Sequence, residues 1–220
     1  MSKLNVLYED NHIIVVEKEA NILSQKDNTN DPDLLSLVKE YIKEKYKKPG
    51  EAYIGLVHRL DRPVSGVMVF ARTSKAASRL SKQIQDGTFH KSYYAVVNGI
   101  LDKKEDELVN KIIKQDDFSS VIDENGKLAK LKYKVIEENK DLDLSLLDID
   151  LETGRHHQIR VQFANINHPL YGDQRYGKED KKQIALHSYK ISFEHPTTKE
   201  QMTFILMPKK KDVWNNFKNI

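Results

Sequence analysis

Three short segments carry the side chains that could do chemistry. The densest is Gly55-Leu56-Val57-His58-Arg59-Leu60-Asp61-Arg62-Pro63-Val64-Ser65-Gly66, which sets three arginine or histidine side chains around one carboxylate. Its proline and glycine suggest a fixed, unusual turn between two apolar runs. A carboxylate on such a turn can serve as a nucleophile, as a base, or as a cap bonded to its own loop. The second segment is Thr153-Gly154-Arg155-His156-His157-Gln158-Ile159-Arg160. A basic cluster there, at a strand-to-helix junction, can hold phosphate or pin a carboxylate. Neighbouring side chains diverge on a helix and point opposite ways on a strand, so His156 and His157 are not expected to share a metal. No acidic residue lies at ligand spacing from them. The third is Lys91-Ser92-Tyr93-Tyr94-Ala95-Val96-Val97, a strand on which Tyr93 and Tyr94 face opposite sides. One of them can join the core while the other lines a cleft.

The elements that position these segments follow from pattern. Val6-Leu7-Tyr8 and Ile13-Ile14-Val15-Val16 read as strands around a turn at Asp10-Asn11. Asp31-Pro32 reads as a helix cap followed by proline at the first helical position. Leu34, Leu35, Val38, Tyr41, Ile42 and Tyr46 then carry helical periodicity up to Pro49-Gly50. Residues 52–57 lead as a strand into the Asp61 turn, and residues 67–71 form a strongly β-like run beyond it. Thr73 or Ser74 caps a second helix bearing Ala76, Ala77, Leu80 and Ile84, ended by Gly87. A strand over residues 93–97 closes at Asn98-Gly99. Residues 108–152 read as antiparallel strands, with Leu131, Tyr133 and Val135 alternating, and likewise Leu142, Leu144 and Leu146. Ile159, Phe163 and Ile166 mark a short helix ended by His168-Pro169. Strands over residues 184–193 and 202–207 follow, with Trp214 and Phe217 anchoring a terminal helix. Strands outnumber helices at hairpin-like spacing, so the expected class is α+β, with a mixed, mostly antiparallel sheet and flanking helices.

Composition removes several classes. The chain has 220 residues, which suits one domain with a core of its own. It contains no cysteine, so disulfides, cysteine zinc sites and thiolate chemistry are all excluded. Its longest apolar stretches, residues 13–16 and 67–71, are far too short to span a membrane. Met1-Ser2-Lys3-Leu4-Asn5 lacks an apolar signal region, so a cytoplasmic protein is expected. The net charge is 36 − 33 = +3, which permits nucleic-acid binding without requiring it. The basic runs at residues 43–48, 178–182 and 209–211 read as solvated faces unless folding gathers them. No phosphate-binding glycine loop, zinc-protease motif or nucleophile elbow occurs.

Taken together, the segments resemble a known family. His58-Arg59-Leu60-Asp61-Arg62-Pro63-Val64-Ser65-Gly66 and the apolar run after it resemble the signature of RluA-type pseudouridine synthases, with Val64 where threonine is usual. Lys91-Ser92-Tyr93 matches the family's lysine and tyrosine at the start of a strand, and residues 153–160 match its T-G-R-x-H-Q-I-R element. Pro169-Leu170-Tyr171-Gly172-Asp173-Gln174-Arg175-Tyr176-Gly177 matches a P-x-x-G-D-x-x-Y-G pattern. Leu186-His187 with Phe193, His195 and Pro196 matches a late one. The likeness runs from about Val6 to Met207. Two departures stand out: the early K-P-x-G-L segment is degraded to Lys18-Glu19-Ala20-Asn21-Ile22-Leu23, and an S4-type RNA-binding domain is not expected, the five residues before Val6 leaving no room for one.

The resemblance implies a single pseudouridine synthase catalytic domain over residues 1–220, with a central cleft and two halves gripping structured RNA, either rRNA or tRNA. It implies no cofactor and no metal, because the isomerisation has no redox step. Asp61 is then the catalytic carboxylate, Arg160 the cation that keeps it ionised, and Tyr93 the residue beside the target base. Arg59 would hold the flipped nucleotide's stack open. His58, Arg62 and Arg155 would sit on the RNA side, with Leu186 as an apolar wall. A monomer without an obligate protein partner is the simplest expectation. Two other readings remain. One is a non-enzymatic RNA-binding factor, which would need no Asp61–Tyr93–Arg160 trio. The other is a nucleoside glycosidase, which ordinarily uses two carboxylates where one is evident here.

Overall fold

The computed structural model describes residues 4–29, 31–47, 49–178 and 180–220. Met1, Ser2 and Lys3 of the N-terminal reading, Lys48 of the first basic run and Glu179 of the second lie outside the described residues. The chain is α+β and divides into two compact units. One comprises residues 1–90 and 190–206, the other residues 91–189 and 207–220.

In the first unit, β1 (Val6–Glu9) pairs with β2 (Ile13–Lys18), and β2 with β4 (Ser65–Ala71); β3 (Gly55–Leu56) also lies on β4. All these pairings are antiparallel. Ile13, Ile14, Val15 and Val16 are wholly buried, as are residues 67–71, so the central strands are covered on both faces. One face meets α2 (Ser74–Asp86): Ile13, Val15, Val67, Val69 and Ala71 cluster with Ala76, Leu80, Phe89, Ile191 and Phe193. Burying each such side chain stabilises the unit by about 2 kcal/mol. Thr73 caps α2, its hydroxyl accepting from the Ala76 amide at 3.1 Å, and Gly87 ends it at φ 75°.

The cap of α1 (Leu34–Lys45) differs from expectation. Asp33, not Asp31, is the cap, accepting from the Ser36 amide at 3.0 Å, and Pro32 lies before the helix. Asp31 instead pairs with Arg62 at 2.7 Å. A backbone bridge from Leu23 to Asp33 fixes the entry two residues later than the Asp-Pro signal suggests. The strand expected over residues 52–57 shrinks to Gly55–Leu56, because only those two residues pair with β4.

In the second unit, β5 (His90–Asn98) pairs with β9 (Leu144–Leu151), β9 with β8 (Lys127–Asn139), β8 with β6 (Glu105–Lys114), and β6 with β7 (Ser120–Ile122), all antiparallel. Helix α3 (Gln158–Asn165) sends Phe163 edge-on to Tyr133 of β8, with ring centroids 5.4 Å apart. A short 3-10 helix (Asp212–Asn216) buries Trp214, which joins Val96, Leu144, Leu146 and Phe217. Leu142 breaks its expected alternation: it lies in the turn before β9 and is 51% exposed. Strand β10 (Leu186–Glu194) gives its first four residues to this unit, and the remainder pairs with β11 (Gln201–Ile205) in the first.

Candidate active site

The Asp61 turn belongs to the first unit, and backbone bonding from a distant segment builds it. The Val64 amide donates to the Asp61 carbonyl at 3.0 Å, closing a four-residue turn through Arg62-Pro63. Beneath it lies Lys18, wholly buried at the end of β2. Its ammonium donates to the carbonyls of Val64 at 2.7 Å, Arg62 at 3.0 Å and Glu19 at 3.2 Å. Ser24 adds a second clamp: its hydroxyl donates to the Leu60 carbonyl at 2.6 Å and accepts from the Leu60 amide at 3.1 Å. The Asn21 amide reaches the Arg62 carbonyl at 2.8 Å. His58 is buried before the turn, where its Nε2 accepts from the Val69 amide at 3.1 Å and its ring leans on Phe89. Tautomer and orientation of His58 are thereby fixed by β4.

Burial pushes the Lys18 ammonium down to about 7; the Asp61 carboxylate opposes that shift and Arg62 adds to it. The segment that departs from the expected K-P-x-G-L pattern therefore supports the turn directly. Lys18, Asn21 and Ser24 were not among the expected site residues. The sequence signal for Lys18 is its place beside Glu17 at the end of a strand whose first four residues are apolar, where buried charges require partners. Arg59 and Arg62 are exposed on the outer side of the turn, and Asp61 is half-buried.

The other expected residues belong to the second unit. Arg160 stands in the first turn of α3 and is 6% exposed. Its Nε and Nη2 donate to the two carboxylate oxygens of Asp173, each at 2.8 Å, a bidentate pair. Asp173 also accepts from the amides of Arg175 at 3.0 Å and Tyr176 at 3.2 Å. Burial raises its pKa, but the Arg160 bonds and charge together with the two amides outweigh that, and the carboxyl is held below its ordinary value. The Arg160 guanidinium also lies over the Tyr176 ring, 5.2 Å from its centroid. Asp173 and Tyr176 stood in a recognised motif without a role; the structure makes them the frame that orients Arg160.

The Thr153–Arg160 element is built by its own side chains. Thr153 and Gln158 bond at 2.8 Å, Gln158 accepts from the Arg155 amide at 3.0 Å, and both tie to the backbone of Lys130. His157 adopts φ 53°. That left-handed residue corrects the expectation for the two histidines: their rings do not diverge but stack, with centroids 3.8 Å apart. They are engaged separately, His156 Nδ1 with the Ser120 hydroxyl at 3.0 Å and His157 Nδ1 with the Tyr176 hydroxyl at 2.8 Å. Among the described residues, no group of three or more His, Cys, Asp or Glu side chains is arranged to hold a metal ion. Arg155 is half-buried and its Nε donates to the Leu128 carbonyl at 2.8 Å, so part of its function is to fasten the turn.

Strand β5 presents Tyr93 buried and Tyr94 half-buried on opposite faces, as the alternation requires. Tyr94 stacks on Tyr189 at 4.1 Å. Leu186, at the start of β10, is 5% exposed.

Comparison with known proteins gives the family. Residues 12–165 match the family model described as RNA pseudouridylate synthase, a span that includes the Asp61 turn, the Tyr93 strand and the Arg160 helix. The chain belongs to that family. It is 35% identical over 204 residues to an uncharacterized RNA pseudouridine synthase of Bacillus subtilis strain 168, covering 90% of this chain and 66% of that protein. It is 36% identical over 218 residues to ribosomal large subunit pseudouridine synthase D of Neisseria meningitidis serogroup B, covering 91% of this chain and 57% of that protein. The chain thus spans somewhat less than two thirds of these relatives. Among solved structures, human RNA pseudouridylate synthase domain containing 4 superposes with a TM-score of 0.79 at 18% identity, covering 96% of this chain and 90% of that one. Human RNA pseudouridylate synthase domain containing 1 gives 0.74 at 22%, covering 94% and 84%. These two show the shared fold.

Proposed function

We propose that this chain is an RNA pseudouridine synthase, a single catalytic domain acting as a cytoplasmic monomer on uridines in structured rRNA or tRNA. In this reaction the N1–C1′ bond of uridine breaks, the uracil turns, and a C5–C1′ bond forms. The C5 proton is lost and N1 regains one, so atoms and electrons balance without a co-reactant or cofactor. The observation that carries the reading is the construction of the Asp61 turn, where a buried lysine, a serine and a strand-anchored histidine fix the backbone around a single carboxylate. A carboxylate presented so rigidly suits attack or proton abstraction at one defined position.

In this reading Asp61 reacts as the carboxylate. Arg160, oriented by Asp173, is the fixed cation of the catalytic set. Tyr93 stacks on the uracil and assists loss of the C5 proton. The target nucleotide is flipped out of its stack at a cost of a few kcal/mol. Arg59, Arg62 and Arg155 serve the RNA strand around it, Leu186 forms an apolar wall, and His58, expected on the RNA side, instead anchors the turn from its buried place against β4. The names of the relatives support an RNA target, and ribosomal RNA in particular.

The test is release of tritium from unmodified RNA labelled at uridine C5. The wild type releases tritium, and Asp61→Ala slows release by about 10³-fold or more while still binding RNA. Tyr93→Phe binds RNA within a few-fold of wild type yet turns over about a hundredfold more slowly. RNA binding without tritium release would favour a binding factor, and free uracil in the supernatant would favour a glycosidase.

A further inference from the structure

Strand β5 carries a second side chain on the face of Tyr93. Lys91 lies two residues earlier, about 6.6 Å along the strand, and therefore points to the same side. It is 9% exposed. Cross-strand register defines its surroundings. Tyr93 stands opposite Ile149, which stands opposite Tyr133, and Leu151 stands opposite Leu131, so this face is apolar. The acids of β9 are on the other face: Asp150 opposes Ser92 and Asp148 opposes Tyr94. Glu152 is drawn to Lys130 and Lys132. The Lys91 amine makes no hydrogen bond or ion pair among the described residues, and burial alone lowers its pKa. A buried amine on an apolar face is costly unless an anion joins it.

The amine's outlet is also defined. It lies beside Gly154, an exposed residue, so near that a Cβ there would stand 3.1 Å from Nζ. Any residue larger than glycine in the Thr153-Gly154-Arg155 turn would crowd the end of the lysine. Glycine leaves the amine reachable from solvent, next to a turn that already carries Arg155.

We propose that Lys91 and the Gly154 turn form an anion subsite that takes one phosphodiester of the RNA backbone next to the nucleotide held at Tyr93. The proposal rests on the RNA-modifying reading above. Lys91 is a substrate-binding residue here, and Gly154 is the opening through which the phosphate reaches it. The apolar strand face keeps the amine in one direction, and the phosphate supplies the counter-charge that the described residues do not.

The test measures affinity for an unmodified transcript of large-subunit ribosomal RNA at several KCl concentrations, with wild type, Lys91→Met and Lys91→Arg. Lys91→Met is expected to weaken binding about tenfold, and to make the slope of log affinity against log salt shallower by about 0.7–0.9, the value for one lost phosphate contact. Lys91→Arg should restore the slope. The melting temperature of Lys91→Met should equal or exceed that of wild type, because an uncompensated buried amine is removed. A second measurement uses wild type alone: amine acetylation of Lys91 should be blocked by the RNA, while exposed Lys140 still reacts. An unchanged salt slope in Lys91→Met, or equal labelling of Lys91 with and without RNA, overturns the subsite and leaves the proposed function standing. Failure of wild type to bind both this transcript and an unmodified tRNA transcript overturns the RNA reading itself.

Discussion

At the scale of single residues, each unit holds a buried cation in its candidate segment, with opposite solutions. Lys18 uses backbone carbonyls, and Arg160 uses a carboxylate. Replacing Lys18 by Met removes three donors from carbonyls that cannot all reach water, which should cost about 2 kcal/mol. It should also lower turnover about tenfold or more with RNA affinity little changed, since the turn and not the RNA contact is loosened; equal turnover in the two proteins would refute this. Asp173 gives a prediction against pH. Its folded pKa lies below the unfolded value, so the unfolded chain binds protons more readily between the two. Its stabilising contribution is complete above the ordinary aspartate range and is lost as pH falls through the lowered folded value. Acid titration should therefore show Asp173→Asn less stable than wild type at pH 7, with the gap narrowing below about pH 4. A gap constant from pH 7 to 3 would contradict it.

At the scale of elements, the patterns that could be read were those governed by local rules. The Thr73 cap, the Gly87 stop and the alternation of Leu131 and Tyr133 follow from hydroxyl geometry, left-handed glycine and strand pleat, and the structure keeps all three. Thr73→Ala should lower stability by about 1 kcal/mol, measurable by urea melting. What escaped the sequence was set by contacts far along the chain. Asp33 rather than Asp31 caps α1 because Leu23 bridges to it and Arg62 takes Asp31. His156 and His157 stack because one residue turns left-handed, which neither helix nor strand geometry describes. Lys18 is not legible as a site residue because two of its three carbonyl partners lie more than forty residues away. The turn holding Asp173 depends on Gly172 at φ 72°, where a Cβ would fall 2.3 Å from the Gln183 carbonyl oxygen. Gly172→Ala combines strain with a backbone clash and should cost about 3 kcal/mol, together with the orientation of Arg160. A melting temperature equal to wild type would remove Gly172 from this account.

At the scale of the whole molecule, each unit has its own core and carries its own share of the expected residues: Asp61 in the first, Tyr93 and Arg160 in the second. The Asp61 turn is framed by β2 and β4, and the Arg160 fork by α3 and the Gly172–Gly177 turn. Among the described residues, no helix is long and apolar enough to cross a membrane.

The measurement that tests the central claim most directly is a pseudouridine map of cellular RNA. A strain lacking this gene is compared with the same strain complemented by wild type or by Asp61→Ala, using carbodiimide labelling and reverse-transcription stops. At least one site should disappear in the deletion, return with wild type, and stay absent with Asp61→Ala. Restoration of that site by Asp61→Ala would contradict the assignment of Asp61 as the reacting carboxylate. An unaltered map in the deletion strain would contradict the proposed activity in that cell.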